Sequence, residues 1–328
     1  MKDLILKELI EKKGCFISGQ ELSKKYQITR AGIWKYMQKF KEEGYEIESV
    51  SNKGYRLISE PDKLETIHFD FDENWLIGKE YIYLDKVDST NDYAKKIAAQ
   101  KPDGSVILAE KQEKGKGRLG RGWDSGYKTG IWMSFILKPD IITSDAVMVT
   151  QIAAAAVVKG INEAVDCDAK IKWPNDIVVG NKKVCGILTE LSGEIESLKY
   201  IIVGIGINVN QNASEFPEEI KDKATSLKIY TGKEVSRKKI LISVLSYFDA
   251  YYKQFLKNHS LEGIIDVCKD YSATLNKRVR ILHNGNESEG KAIGMTERGG
   301  LLVEDLHGNI SEIISGEVSV RGLYNYAD

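Results

Sequence analysis

Hydrophobic spacing divides the chain into three stretches with different periods. In the first, Leu4, Ile5, Leu9 and Ile10 recur at helical spacing and predict an amphipathic helix over 2–12, ended near Gly14. Ser18 with Glu21 three residues later predicts a second helix reaching about Tyr26. A short turn through Gln27 and Ile28 follows, and Thr29 caps a third helix, about Arg30 to Glu43, that stops at Gly44. Its expected inner face is Ala31, Ile33, Trp34, Met37 and Phe40. Residues 45–50 and 55–58 read as two strands joined by Ser51-Asn52-Lys53-Gly54, a hairpin, and Pro61 with Asp62 marks a linker.

The middle stretch mixes strand and helix signals. Strands are expected at 82–85, 106–110, 130–137, 182–190 and 200–209, and within Lys170–Val179 one strand enters and a second leaves on either side of Pro174. In the third of these, Met133 and Phe135 should alternate with polar neighbours. A helix follows Asp88-Ser89-Thr90-Asn91 and runs to about Gln100, an Ala-rich helix covers 146–165, and an amphipathic one covers 237–257 with Leu241, Val244, Leu245, Phe248 and Tyr252 inward. The last stretch holds five short strands, 278–282, 289–294, 301–304, 310–314 and 318–321. Turn signals at Asn284-Gly285, Arg298-Gly299-Gly300 and His307-Gly308-Asn309 separate them and predict a small barrel. From its residues alone this barrel reads as a stability cap.

Composition narrows the class. A chain of 328 residues exceeds one typical domain, and its 42% apolar and 29% charged residues are those of a globular protein. The net charge of −1 is unevenly spread: residues 1–60 hold 12 Lys/Arg against 9 Asp/Glu, the remainder 35 against 39. The third helix carries Arg30, Lys35, Lys39 and Lys41 with no acid before Glu42. Two readings stand for this end: a winged helix-turn-helix on DNA, or a small helical interaction domain with a solvated basic face. Cys15, Cys167, Cys185 and Cys268 are scattered, and the four His form no ligand-spaced cluster, so neither a disulfide framework nor a structural zinc site is expected. With no secretory signal, and a longest apolar run of only Ile152 to Val158, the expectation is a reducing cytoplasm and no membrane partner.

The candidate chemistry centres on Lys114-Gly115-Lys116-Gly117-Arg118-Leu119-Gly120-Arg121-Gly122-Trp123, four glycines and four cations beside one Trp. Exposed backbone N–H groups and guanidinium forks suit an anion, although the ending of a P-loop is missing and a flexible surface loop has the same composition. Ser89 and Thr90 either cap the following helix or gather donors around a small polar ligand. Pro174 breaks a strand and sets Lys172, Asn175 and Asp176 at a rigid turn. A Lys on the next strand could simply extend its head to water. Gly204 and Gly206 in an apolar strand suggest that a ligand or another backbone lies close. No nucleophile–base pair is evident, so the groups suit phosphoryl or nucleotidyl transfer between bound substrates.

Taken together, these motifs resemble the family of bifunctional biotin–protein ligases and biotin operon repressors along essentially the whole chain. The resemblance rests on Asp88-Ser89-Thr90-Asn91, Gln112 with the 114–123 loop, Lys172-Trp173-Pro174-Asn175-Asp176, Lys183 with Gly186, and Gly204-Ile205-Gly206-Ile207-Asn208. One position departs: Lys116 stands where the family usually has Arg, which keeps the charge and loses the planar fork. The resemblance implies an α+β protein: a winged helix-turn-helix over 1–61, a mixed α/β ligase domain of the class II synthetase-like type over 62–273, and an SH3-like barrel over 274–328. It implies adenylation of biotin by ATP with Mg²⁺, then transfer to a lysine of the biotin carboxyl carrier protein of acetyl-CoA carboxylase or of other biotin-dependent carboxylases. It also implies a homodimer, formed with the adenylate bound, that represses at operator DNA.

By the same resemblance, Ser89, Thr90, Asn91, Gln112, Gly115, Lys116, Gly117, Arg118, Arg121, Trp123, Lys183 and Gly186 contact biotin or adenylate, Lys183 and Arg118 being catalytic. Lys172, Asn175, Asp176, Asn208 and Arg321 face the nucleotide, with Asp176 a candidate Mg²⁺ contact, and Glu317 joins Arg321 in reaching the site from the barrel. Thr29, Arg30, Trp34, Lys35, Lys39 and Lys53 would contact DNA. A lipoate–protein ligase, or a biotin-sensing transcription factor without catalysis, are the alternatives.

Overall fold

The structure is a computed structural model that describes residues 1–67, 71–194, 197–283, 286–314 and 319–322. The chain divides into two compact units, Met1–Phe69 and Asp70–Asp328. The first holds α1 (Lys2–Glu11), α2 (Gly19–Tyr26), α3 (Arg30–Glu42) and a hairpin of β1 (Glu46–Val50) and β2 (Gly54–Ser59). Ser18 caps α2 by accepting from the Gln20 N–H, and Thr29 caps α3 by accepting from the Gly32 N–H. Leu6, Leu9, Leu22, Ile33, Met37 and Phe40 close its core. The inner face of α3 is narrower than its apolar residues suggest. Ile33, Met37 and Phe40 form the buried stripe, whereas Ala31 is exposed and Trp34 is 53% exposed. One residue beyond Ile33 is about 100° round the helix, which turns the indole to solvent.

The second unit is built on a seven-stranded sheet ordered β3-β4-β5-β9-β8-β7-β6. Its strands are β3 (Tyr81–Val87), β4 (Ser105–Gln112), β5 (Gly130–Leu137), β6 (Lys170–Lys172), β7 (Asp176–Val179), β8 (Lys182–Glu194) and β9 (Ser197–Asn208). Only β3 and β4 are parallel. α4 (Thr90–Ile97) covers one face, where Ala94 and Ala98 meet Ile107, Ile136 and Ile202. α5 (Ala146–Ala164) and α7 (Arg237–Asn258) cover the other, with α6 (Leu227–Thr231) and α8 (Ile264–Asp270) as short additions. β5 does not alternate between apolar and polar environments, because both its faces are covered. Phe135 stacks on Phe248 of α7 at 4.3 Å while Ile136 packs beneath α4, and all eight residues are buried. The segment Thr143–Ala164 is long and apolar enough to cross a membrane, but 78% of its most apolar 18 residues are buried inside this unit.

The C-terminal strands β10 (Arg278–His283), β11 (Asn286–Met295), β12 (Leu301–Glu304), β13 (Ile310–Ile313) and β14 (Ser319–Gly322) form one antiparallel sheet ordered β13-β12-β11-β10-β14. The expected Asn284-Gly285 turn lies outside the described residues. This sheet is joined to the larger one beside β6: the Trp173 indole N–H donates to the Gly299 carbonyl at 3.0 Å, and the Trp173 backbone N–H donates to Thr274 Oγ1 at 3.0 Å.

One buried ion pair ties the large sheet to α7. Arg237, at the first turn of α7, donates to Glu110 of β4 and to the Gly130 carbonyl at 3.3 Å, and the two charged side chains are only 3% and 2% exposed. Tyr83 adds a second donor to the Glu110 carboxylate at 3.1 Å. Replacing Arg237 by Met strands a buried carboxylate, so Arg237→Met should lose about 3–5 kcal/mol of stability in urea denaturation.

Candidate functional site

A cavity of about 960 Å³ opens between the N-terminus of α4, the 114–123 loop, β8, β9 and the 172–176 turn. At its inner end sits a polar network. The Thr90 backbone N–H and hydroxyl both donate to Gln112 Oε1, at 2.8 and 3.0 Å, and Gln112 Nε2 donates to Ser125 Oγ at 2.9 Å. The Ser134 hydroxyl lies 2.8 Å from Thr90 Oγ1 and 2.6 Å from Asn91 Oδ1. The Asn91 amide donates to Glu190 Oε2 at 2.8 Å. Ser89 accepts from the Asp92 N–H as the cap of α4, and it also lines the cavity.

The cationic loop is a tight excursion. Lys116 and Gly122 form an antiparallel bridge, the Trp123 N–H donates to the Gly115 carbonyl at 2.8 Å, and Leu119 and Gly120 turn the tip at φ +57° and +72°. Lys116 is ion-paired with Asp92 of α4 at 2.7 Å, and that carboxylate holds the ammonium above its ordinary pKa. Arg118 Nη1 donates to Asn175 Oδ1 at 2.7 Å. Gly115 does not line the cavity. A Cβ there would collide with the Trp123 carbonyl, so its role is to let the loop close on itself.

Trp123 and Asn91 account for the strand glycines. A Cβ on Gly206 would lie 2.5 Å from Trp123 Nε1, one on Gly186 would lie 2.8 Å from the same ring, and one on Gly204 would overlap Asn91 Oδ1. Side chains of the protein thus occupy the space where a ligand or a second backbone was expected. The Trp123 indole N–H is buried and makes no hydrogen bond within the protein. Lys183 lies over the same ring at 5.2 Å and is ion-paired with Asp176 at 2.6 Å, so its head is engaged at the cavity rather than trailing into water.

On the far side, Lys172, Asn175, Asp176 and Asn208 are buried at 4–9% exposure and line the cavity. Asn175 donates to the Ile187 carbonyl at 2.9 Å, and Asn208 to the Thr225 carbonyl at 3.1 Å. The wall carries eight Lys/Arg against four Asp/Glu, a balance that attracts anions. Among the described residues no cluster of three or more His, Cys, Asp or Glu could hold a metal ion. A divalent cation at Asp176 would need its remaining ligands from phosphates or water, the usual habit of Mg²⁺. Cys185, behind Gly186, is fully buried and its thiol is pushed far up by desolvation, so it cannot serve as a nucleophile here.

Ser89, Thr90, Asn91, Gln112, Lys116, Gly117, Arg118, Arg121, Trp123, Lys183 and Gly186 all line this one cavity. Glu317 lies outside the described residues, and of Arg321 only the strand position in β14 is described. The sheet that carries it is more than a stability cap, since Arg280 of β10 lines the cavity. Sequence reasoning missed Ser134, Glu190, Asp92 and Arg280. Ser134 had a usable signal as a lone hydroxyl inside the apolar run 130–137, and Glu190 as an acid closing the apolar run 184–188.

Comparison with known proteins gives three family matches. The biotin/lipoate A/B protein ligase family model matches residues 83–208, an HTH domain model matches 2–56, and the biotin protein ligase C terminal domain model matches 274–321. The bifunctional ligase/repressor BirA of Bacillus subtilis is 38% identical over 322 residues, 97% of this chain and 98% of that protein. BirA of Escherichia coli is 25% identical over 94% of each chain. A solved biotin protein ligase from Aquifex aeolicus, in complex with biotin and ATP, has a TM-score of 0.67 and 37% identity, covering 74% of this chain and 99% of its own.

The close approach of Trp123 to β9 can be tested without any ligand. In Gly206→Ala the new methyl displaces the indole, so trypsin should cut the loop after Arg118 or Arg121 at least several times faster than in the unmodified protein. Thermal melting should move by only a few degrees, because the substitution lies at a cavity wall.

Proposed function

The chain belongs to the family of bifunctional biotin–protein ligases and repressors, and on that premise we propose that it forms biotinoyl-5′-AMP and transfers biotin to a carrier-protein lysine. The observation that carries this reading is one cavity joining a hydroxyl–amide pocket to a cationic end, with no Cys or His among the described residues of its wall. Both nucleophiles then come from the substrates. The biotin carboxylate attacks the α-phosphate of ATP and pyrophosphate leaves. The ε-amine of the carrier lysine next attacks the acyl carbon and AMP leaves.

In this reading Ser89, Thr90, Asn91 and Gln112 hold the biotin head group, and Gly115, Lys116, Gly117, Arg118, Arg121 and Trp123 form the loop that covers biotin and adenylate. Lys183 and Arg118 neutralise charge as it gathers between carboxylate and α-phosphate, the term expected to dominate such a transfer. Gly186 keeps room for the Trp123 ring. Lys172, Asn175, Asp176, Asn208 and Arg321 face the nucleotide, and Mg²⁺ would be held by Asp176 together with the phosphates and would offset their charge. The Lys116–Asp92 and Arg118–Asn175 contacts are partly exposed, so the loop can release and re-form them at small cost while it admits substrates and excludes water.

The functional division is 1–61 for DNA, 62–273 for ligation and 274–328 for closing the nucleotide side. Exposed Trp34, with Thr29, Arg30, Lys35 and Lys39 on α3 and Lys53 at the hairpin tip, forms the DNA-contacting face. The adenylate-bound protein dimerises and places two such faces on operator DNA, which links ligand occupancy to repression. The carrier is the biotin carboxyl carrier protein of acetyl-CoA carboxylase or a similar carboxylase subunit, and the four free thiols suit a reducing cytoplasm.

Incubation with biotin, ATP, Mg²⁺ and a carrier-protein fragment should yield pyrophosphate and a biotinylated lysine, and labelled lipoate in place of biotin should yield neither. Lys183→Ala should lower pyrophosphate release by roughly 10²-fold or more while the fold survives. Lys35→Ala with Lys39→Ala should weaken operator binding in gel shifts at every salt concentration. Each protomer of the dimer loses two cations, so the slope of log affinity against log salt should fall by about 4, while ligation is untouched.

A further inference from the structure

The outward face of α3 carries one polar side chain that is neither cation nor acid. Ile33, Met37 and Phe40 are the buried residues of this helix and fix its inward direction. At about 100° per residue, Ala31, Lys35, Gln38 and Glu42 lie within about 50° of the opposite direction. Lys39 stands just beyond them on one side. Trp34 is about 90° round on the other, the side on which Lys41 donates to Ser49 Oγ of β1 at 3.4 Å. The face thus runs from small, exposed Ala31 through Lys35 and Gln38 to exposed, acidic Glu42. Ala31 lets the helix backbone come close to a surface. Glu42 would meet phosphates with like charge, so contact with nucleic acid is confined to the part of α3 before it. Gln38 is partly buried, and its carboxamide bonds to no described residue. It is the one Asn or Gln in α3.

We propose that Gln38 reads an adenine in the major groove and so sets one base pair of each operator half-site. This rests on the DNA-binding reading of residues 1–61 and names what that face selects. A phosphate needs a cation or a simple donor, and Arg30, Lys35, Lys39 and Lys41 already supply cations. A carboxamide differs from these, since it sets one acceptor beside one donor. Adenine presents the matching pair on its major-groove edge, the N6 amino group beside N7, and takes both bonds at once. Guanine presents two acceptors there, O6 and N7, so the carboxamide oxygen would face an acceptor and lose its bond. Cytosine and thymine each offer a single polar group on that edge. Trp34, four residues earlier, is the neighbour of Gln38 on the helix surface, and its exposed ring is placed to shield the paired carboxamide from water. The cations hold the helix on the backbone, and Gln38 adds a preference that they do not supply.

The test uses the full chain, with biotin, ATP and Mg²⁺ present, and selects binding sites from a pool of random DNA duplexes. The unaltered protein should select a two-fold symmetric site with a fixed A·T pair in each half. Gln38→Ala should select the same site with that pair, and no other, relaxed. In gel shifts its preference for A·T over G·C at that place should fall about tenfold or more. Gln38→Arg should turn the same pair into G·C, because a guanidinium fork donates to both O6 and N7. The slope of log affinity against log salt should be the same in Gln38→Ala as in the unaltered protein, which separates base reading from a phosphate contact. Biotin ligation should be unaffected in both variants. An unchanged site in either variant overturns the inference. So does a relaxed pair other than A·T, or a uniform loss of affinity for every sequence, which would mean that Gln38 only supports the helix. Failure of the unaltered protein to select any site would instead remove the DNA-binding reading itself.

Discussion

The cavity depends on three missing β-carbons. Gly186, Gly204 and Gly206 lie on β8 and β9, and Gly186 and Gly206 are direct partners across the ladder. A methyl group at any of them would drive into Trp123 or Asn91. A central strand normally weakens with each glycine. Here the loss is offset by the flanking residues, since Val203, Ile205 and Ile207 are buried at 0–2% exposure on a sheet covered on both faces. The strands stay rigid while bare backbone admits side chains on the ligand side. That rigidity is what allows Asn91 and Trp123 to be held in fixed positions by contacts with β9.

Two kinds of charge pairing coexist around this floor, and their environments set their roles. Arg237–Glu110 is almost completely removed from solvent and carries added bonds to Gly130 and Tyr83, so it behaves as a fixed strut. The loop's ion pairs are different. Lys114–Asp88 and Lys116–Asp92 leave side chains 31–75% exposed, where each pair contributes on the order of 0–1 kcal/mol. The side-chain ties at the loop tip are partly exposed, so the tip can leave and return more readily than the strands beneath it. Lys116 in place of an arginine belongs with this arrangement, since an ammonium point charge gives up a carboxylate partner more readily than a planar fork does.

Periodicity made most of the architecture legible. α1, α2, α3, α5 and α7 begin or end within a residue or two of where spacing and caps put them, and Pro174 separates two strands as expected. The misreadings have physical reasons. Trp34 is apolar, and pattern alone assigns it inward, but the Ile33–Met37–Phe40 stripe leaves it outside. β5 could not be told from a one-sided strand until both helical layers were seen. The site was legible where chemistry is local, as in the glycine–cation loop, and illegible where it is assembled across the sheet. Ser134 and Glu190 are 44 and 100 residues from Thr90, and nothing in single-chain spacing relates them. Arg280 comes from a barrel whose own residues suggest only a scaffold.

The barrel's attachment shows why it is not a passive cap. The 172–176 turn lies next to the sheet edge, a place where backbone groups would otherwise be unpaired. β6 is covered instead by the connector that leads into the barrel, through the bridge between Ile171 and Ser272 and the Ala273 N–H donating to the Ile171 carbonyl at 2.8 Å. Trp173 then reaches the barrel turn at Gly299, and Gln151 of α5 donates to the Pro174 carbonyl at 3.2 Å. The turn carrying Lys172, Asn175 and Asp176 is therefore clamped by α5, the connector and the barrel at once. Any displacement of the barrel would move the turn on which the nucleotide-side groups stand, so its position and the geometry of that end of the cavity are set together.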